Sequence, residues 1–409
     1  MSSISAPHPH WFSKVEPLAT HIRNACKSCW TPSSNVSVDE MICRFSGRSQ
    51  HTMRMKGKPI PSGYVIYSLC DAGYTWTFEF YSRVEASPHP RDETIGGEVA
   101  NLVYHLATQL PHRARNYNVY MDNYFSSVEL FRALRKKNIG ACGTVRTNSK
   151  GFPAVLRVEK SAARYYQWDT LSAVVVGEEP AQVLASVWID NGPVTMLTTV
   201  HRLDGADARI ERDRRRPRDT STNAARVREV FGNQSRRKIP IPKMIDDYNH
   251  YMGGVDIADQ LRAYYSVQLK AERTWMPLFF WLIDVSLVNA YMISKTINKS
   301  DIDQISFRRQ LVWELVTEAL REDVAERSAE KIRSRRGKYV TAARQENWQL
   351  AESRHAPGPH IAVFATRKHC YMCRLEGRSK CSVVTQCGQC GVHLCLIQGR
   401  NCFEKYHTL

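Results

Sequence analysis

Four aspartates and a cysteine-rich tail are the residues whose types and spacing could do chemistry in this chain. Asp39 lies in "SVDE", Asp122 in "YMDNYFSS", and Asp256 and Asp259 in "GGVDIADQL". Asp122 stands where a strand-like run, "NVYMD", gives way to an amphipathic helix, a position both rigid and open to solvent. An Asp there also serves as a helix N-cap or turn residue. Asp256 and Asp259 are three apart near a helix start and share a face. Gly253 and Gly254, just before them, allow close approach to another backbone. Two strand aspartates and a helix carboxylate set side by side repel strongly. The grouping therefore predicts a pocket stable chiefly with cations in it. Two Mg²⁺ ions about 4 Å apart would suit phosphodiester cleavage or transfer. Asp71, in "CDAGY", reads as a structural turn residue, and Asp246 and Asp247 as helix-start residues favoured by the helix dipole.

The tail offers a second chemistry. Cys370, Cys373, Cys381, Cys387, Cys390, Cys395, Cys402 and His407 supply eight soft or borderline ligands, the number that two tetrahedral Zn²⁺ ions need. A segment this short builds no core without such a staple. His369 and His393 are spare candidates. Seven of the chain's 12 cysteines fall in this tail as paired ligands, which favours zinc in a reducing compartment over a disulfide framework. Cys26, Cys29, Cys43 and Cys70 read as ordinary thiols.

A formal charge of +17 on 409 residues points to a polyanionic partner, most often nucleic acid. The arginine runs "RDRRRPR" and "RSRRGK" read as phosphate contacts or nuclear-import signals, against a solvated basic face as the bland reading. They contain Arg214, Arg215, Arg216, Arg335 and Arg336. The N-terminus lacks a continuous apolar core, so no signal peptide is expected. "WMPLFFWLIDVSLVNAYMI" has membrane-spanning length, but Asp284, Ser286 and Asn289 interrupt it. A buried core helix and no membrane partner are expected.

The elements that must position the aspartates follow from periodicity. Asn35 to Phe45 alternates as a half-buried strand, and Tyr64 to Ser82 reads as two strands around "DAGY". A helix is predicted over 95–110, a strand ending at Asp122, a helix over 128–137 and a strand at "ACGTVR". Strands return from 165 to 202, with Asn191-Gly192 as a hairpin signal. "RIERDRRRPRD" reads as a basic, nearly structureless loop, and helices dominate from 245 to about 323. Strands first, then helix and strand in alternation, suit a mixed sheet with helices packed on it. Trp168, Trp188 and Trp275 read as core.

"VEPLATHIRNACKSCWTPSSNVSVDEMICRF", "MDNYFSSVELFRALRKKNIGACGTVRTNSKGFP" and "YNHYMGGVDIADQLRAYYS" resemble, in order, the three catalytic-Asp segments of the piggyBac transposase family. The resemblance implies an α/β, RNase H-like mixed sheet flanked by helices, with a β-rich insertion and a small C-terminal cross-brace zinc domain, similar also to RING fingers. By position, Asp39, Asp122 and Asp256 match the catalytic, Mg²⁺-binding aspartates, and Asp259 a fourth needed in the family. The resemblance further implies double-stranded DNA with TTAA targets as partner, strand transfer, a homodimer as a compatible assembly, and the nucleus as location. On this reading 1–34 is an N-terminal remnant, 35–165 and 241–325 form the catalytic core, and 166–240 is the β-rich insertion with its basic loop. Residues 326–368 are a basic linker and 369–409 the zinc domain. Where the family often reads "KPIKxGxK", this chain has "KPIPSGYV". Lys58 is kept as a DNA contact, while Pro61 and Val65 stand where lysines often stand. Only 38 residues precede Asp39. Two alternatives accompany the transposase: a domesticated derivative that binds DNA or chromatin without cutting, and a RING-like ubiquitin ligase tail.

Overall fold

The structure is a computed structural model. It describes residues 10–55, 57–112, 115–205, 208–221, 223–298, 301–326, 357–376, 378 and 381–408. The chain divides into two compact units, Met1–Leu311 and Val312–Leu409.

In the first unit the strands are β1 (Asn35–Arg44), β2 (Met53–Arg54), β3 (Ser62–Asp71), β4 (Tyr74–Tyr81), β5 (Tyr117–Met121), β6 (Ile139–Thr144), β7 (Leu171–Val176), β8 (Val183–Ile189) and β9 (Pro193–Thr198). Together they form one sheet in the order β2-β3-β1-β5-β6-β9-β8-β7, with β4 also paired to β3. Strand β3 runs antiparallel to β1 and to β4, while β5 and β6 run parallel to β1. The run β4-β3-β1-β5-β6 is the arrangement expected of an RNase H-like core, and the mixed α/β fold is as the sequence implied. The β3–β4 hairpin closes at Ala72 and Gly73, both at positive φ (46° and 105°), where "DAGY" predicted a turn.

Helices α1 (Glu16–Cys29), α2 (Glu98–Thr108), α3 (Val128–Lys136), α4 (Ala224–Phe231), α5 (Lys243–Tyr251), α6 (Gly254–Tyr264), α7 (Met276–Asn298) and α8 (Gln304–Glu326) complete the described order up to residue 326. Helix α1 packs on β4 and α7, burying Ala19, Ile22 and Cys26. Strand β1 is buried on both faces except at its ends and at Glu40, not on one face as its alternation suggested. Its polar positions, Ser37 and Asp39, are covered because the N-terminus of α6 packs there.

The strands β7 to β9 lie in the stretch expected to be β-rich, and β9 pairs antiparallel with β6, which joins them to the central sheet. One expectation changes. The basic "RIERDRRR" is not a structureless loop. It is strand β10 (Arg209–Arg215), paired along its length with β11 (Arg236–Pro242) as a two-stranded ribbon. Its arginines lie in strand because acids elsewhere answer them: Arg212 is bidentate to Asp246, and Arg214 to Asp190. Helix α7 is long and apolar enough to cross a membrane, yet half of that stretch is buried. Asp284 is fully buried and accepts from Ser266 Oγ at 2.7 Å and Val267 N at 2.9 Å. Asn289 exchanges bonds with the Thr75 backbone at 2.9 and 2.8 Å. Satisfied polar groups of this kind pin α7 to the sheet as a core helix. Trp188 is buried in the core, and Trp168 and Trp275 are partly buried against it.

Candidate active site and metal centres

Asp122 ends β5, and the chain turns there because its own groups fold it back. The Asp122 carboxylate accepts from Tyr124 N at 2.7 Å, and its carbonyl accepts from Ser126 N at 3.1 Å. Ser127 then caps α3, its hydroxyl accepting from Leu130 N at 3.2 Å. Asp122 therefore has the turn role that any such Asp can play, and still presents a carboxylate at the strand end. The parallel register of β1 and β5 runs to Val38 opposite Met121. One step further sets Asp39 beside Asp122 on neighbouring strands, which lie about 4.8 Å apart.

Helix α6 brings Asp256 to the same place. Its first residues seat on β1, Val255 N donating to Ser37 Oγ at 3.2 Å, two residues before Asp39. Gly254 makes this possible. A Cβ there would lie 2.6 Å from Ser37 Oγ and 3.2 Å from Ala72 N. At Gly253 a Cβ would meet nothing within 4 Å. Gly254→Ala is thus expected to lower stability by about 1–3 kcal/mol and to displace Asp256, while Gly253→Ala changes little. Denaturant midpoints of the two variants test this, and equal midpoints would refute the seating argument.

Electrostatics tie the group together. Burial, then the adjacent Glu40 carboxylate, push the Asp39 carboxyl well above the ordinary range. Asp122 is raised by burial and by Glu40, with the Tyr124 N–H in partial opposition. Lys58 Nζ lies 2.9 Å from Glu40 Oε1. Burial would lower the Lys58 ammonium, but Glu40, with Asp39 and Asp256 beyond it, leaves it raised. Asp39, Glu40, Asp122 and Asp256 thus each interact electrostatically with the Lys58 ammonium. Glu40 was not singled out in the sequence, although it stands next to Asp39 in "SVDE".

Asp259 is differently engaged. Its carboxylate accepts from Arg262 Nη2 at 2.7 Å, and the same buried guanidinium donates to Ile42 O at 3.2 Å. The pair ties α6 to β1. Asp71 holds the start of β1 in place, accepting from Trp30 Nε1 and from Ser33 N and Oγ at 2.7–2.8 Å. Asp246 and Asp247 sit in the first half of α5, paired to Arg212 and to Lys243 with His201. Of the candidate DNA contacts, Arg214 is bound to Asp190 and lies over Trp188, and Arg216 is bound to Asp219. Arg215 is exposed. Arg335 and Arg336 lie outside the described residues.

In the second unit, β12 (Ala362–His369) and β13 (Ser382–Cys387) pair antiparallel and frame two ligand clusters. One is Cys370, Cys373, Cys395 and Cys402. The other is His360, Cys387, Cys390 and His407. In each, the ligand atoms lie within 4.8 Å of one another. The sets interleave along the chain, which is the cross-brace the sequence implied. A tetrahedron of 2.3 Å zinc–sulfur bonds has edges of about 3.8 Å. Cys373 Sγ stands 3.6 Å from Cys395 and 3.7 Å from Cys402, close to such edges. Backbone N–H groups of Cys373 and Cys395 reverse the upward push of burial and lower the Cys370 thiol.

The second cluster gathers His360 rather than Cys381, with His360 Nδ1 3.5 Å from Cys387 Sγ and 3.1 Å from Cys390 Sγ, while Cys381 Sγ lies beside the first cluster, 3.2 Å from Cys395 Sγ. His393 Nε2 bonds Thr366 O at 2.8 Å, and His369 is exposed on β12, so neither joins a cluster. His360 belongs to "HAPGPH", which the sequence offered only as linker.

Residues 2–291 match the family described as Transposase IS4. Among curated proteins, the human PiggyBac transposable element-derived protein 3 is 25% identical over 310 residues, 74% of this chain and 47% of that protein. The human PiggyBac transposable element-derived protein 2 is 23% identical over 308 residues, 73% of this chain and 47% of that protein. The chain thus spans about half or less of the length of these relatives. A solved piggyBac transposase, in a synaptic complex with hairpin DNA, aligns with a TM-score of 0.57 at 19% identity, over 94% of this chain and 73% of that one. Sequence match and shared fold together make this chain a member of the piggyBac transposase family, within the group described as Transposase IS4.

Proposed function

We propose that this chain is the core of a piggyBac-like DNA transposase that cleaves and rejoins phosphodiesters at TTAA sites in the nucleus. The observation that supports the reading is the β1–β5 register, which runs to Val38 opposite Met121 just before Asp39 and Asp122, together with the seating of α6 at Val255, just before Asp256, on Ser37 of β1. The donor set is all hard oxygen, and burial, with the Glu40 carboxylate nearby, raises both Asp39 and Asp122. It fits two Mg²⁺ ions, held by Asp39, Asp122 and Asp256. When bound, they would supply Lewis-acid activation of an attacking oxygen and charge relief for the leaving one. The chain's own part is positional. Glu40 N and Tyr124 N donate to Oδ1 of Asp39 and of Asp122, at 2.8 and 2.7 Å, and so orient the two carboxylates. Asp259, through Arg262, keeps α6 and Asp256 seated on β1.

Double-stranded DNA is the partner that the +17 charge suits, and the similar solved structure is itself a DNA complex. Among the candidate contacts Arg215 is exposed, Lys58 is paired to Glu40, and a homodimer fits the same reading. The cysteine-rich unit is proposed to hold two structural Zn²⁺ ions. One observation favours the non-cutting binder: Lys58 is already seated against Glu40, answering part of the charge that metal would answer. A nicking assay on TTAA-flanked DNA, in Mg²⁺ and in EDTA, alone and with a full-length relative in trans, separates the two. Mg²⁺-dependent nicking is expected. Salt-sensitive binding without nicking in any arm would overturn the transposase and leave the binder.

A further inference from the structure

A third cluster of metal-type ligands lies in the first unit, outside the aspartate pocket. Glu79 is on β4, His89 in the loop after β4, and His105 on α2. Their ligand atoms all lie within 4.8 Å of one another. His89 Nε2 is 3.2 Å from Glu79 Oε2, and His105 Nε2 is 3.6 Å from Glu79 Oε1. The two imidazoles are stacked, centroids 3.5 Å apart and planes within 17°. His89 Nε2 is buried and makes no hydrogen bond of acceptable geometry.

Both rings turn Nε2 toward the same carboxylate, so three ligand atoms converge on one point from three different segments. The positive groups facing Glu79 from α1 are otherwise engaged, Arg23 with Glu16 and Lys27 with Gln109. Two imidazoles and one carboxylate are a borderline donor set suited to a divalent transition-type cation, with one position left for water.

We propose that Glu79, His89 and His105 form a zinc-class cation site that clips the loop after β4 onto the sheet and α2. The clip has a structural consequence. The same loop goes on to Glu93, Thr94, Gly96 and Gly97, which wall a cavity of about 580 Å³ with Asn123 to Ser127, directly after Asp122. Holding the loop at His89 steadies that wall.

Zinc content of the full chain tests the proposal. The protein is saturated with Zn²⁺, desalted and measured for bound zinc, wild type beside His105→Ala and His89→Gln. Each variant is expected to lose one equivalent relative to wild type, while the cysteine clusters keep theirs. Added Zn²⁺ should also raise the melting temperature of wild type more than that of His89→Gln. Equal zinc content in folded wild type and variants would overturn the site. If the variants fail to fold, zinc-edge anomalous scattering from wild-type crystals decides: a peak between the three side chains supports the site, and its absence at saturating zinc overturns it. Neither readout depends on DNA cleavage.

Discussion

Asp122→Asn is expected to abolish Mg²⁺-dependent nicking of TTAA-flanked DNA, by a factor on the order of 10³ or more, while leaving DNA binding intact. The substitution is chosen for what it preserves. An Asn oxygen still accepts the Tyr124 N–H that the Asp122 carboxylate accepts at 2.7 Å, so the turn into α3 survives. What is lost is one of the negative charges that act on Lys58 with those of Asp39, Glu40 and Asp256. Two-metal chemistry requires carboxylates on both sides of the scissile phosphate, so losing one removes a cation rather than merely weakening it. Binding has another origin. It sums Lys and Arg contacts to phosphates and weakens steeply with salt, and removing an acid leaves that sum unchanged or slightly improved. Nicking rates and salt-dependent binding of wild type and variant, measured side by side, check both halves. Nicking by Asp122→Asn at the wild-type rate would remove Asp122 from the site. Loss of binding together with nicking would point to unfolding instead.

How much of this pocket could be read from the chain depends on the range of the forces involved. The turn at Asp122 was legible because its signals are local, a strand that stops and an amphipathic helix that begins, whereas the Ser127 cap emerged only in the structure. Gly254 was legible as a point of close approach, though not what it approaches. Glu40 and Lys58 were harder, because their pairing joins β1 to the segment before β3 across a fold that no periodicity reveals. The strand β10 was misread for a related reason. "RIERDRRR" carries no apolar alternation, and its extended form rests on β11 and on Asp190 and Asp246, all distant in sequence. The pairing of β9 with β6, which draws 171–198 into the central sheet, is likewise non-local. Asp259 lies in α6, where its partner Arg262, bonded also to Ile42 O, turns it toward holding the helix on β1.

The same limit applies in the tail, where it yields the second large expected effect. Cysteine spacing points to Cys381 as the eighth ligand, whereas geometry points to His360. His360→Ala should therefore release one of two zinc ions and loosen the second cluster, while Cys381→Ser keeps both. The size of the effect follows from how such a unit is stabilised. Its buried residues are mostly the cysteines themselves, with Met372, Val392, Leu394 and Tyr406. So small an apolar set cannot offset the entropy of ordering the chain. Metal binding must supply the folding free energy, an apparent value of about 10–16 kcal/mol for structural zinc in zinc-finger peptides at neutral pH. Losing a ligand leaves His407, Cys387 and Cys390 to hold the ion, and the chain from His360 into β12 is no longer tied to the Cys387–Cys390 turn. Cys381 is only partly buried beside Cys395, and a serine there should remove little. Zinc analysis and circular dichroism of the two variants, with and without chelator, decide between them. If Cys381→Ser loses the metal and His360→Ala keeps it, the cysteine spacing was the better guide and the second cluster is wrong. If the unmodified tail stays folded in chelator with no metal bound, neither set of ligands stabilises it, and the unit's order must come from contacts other than these.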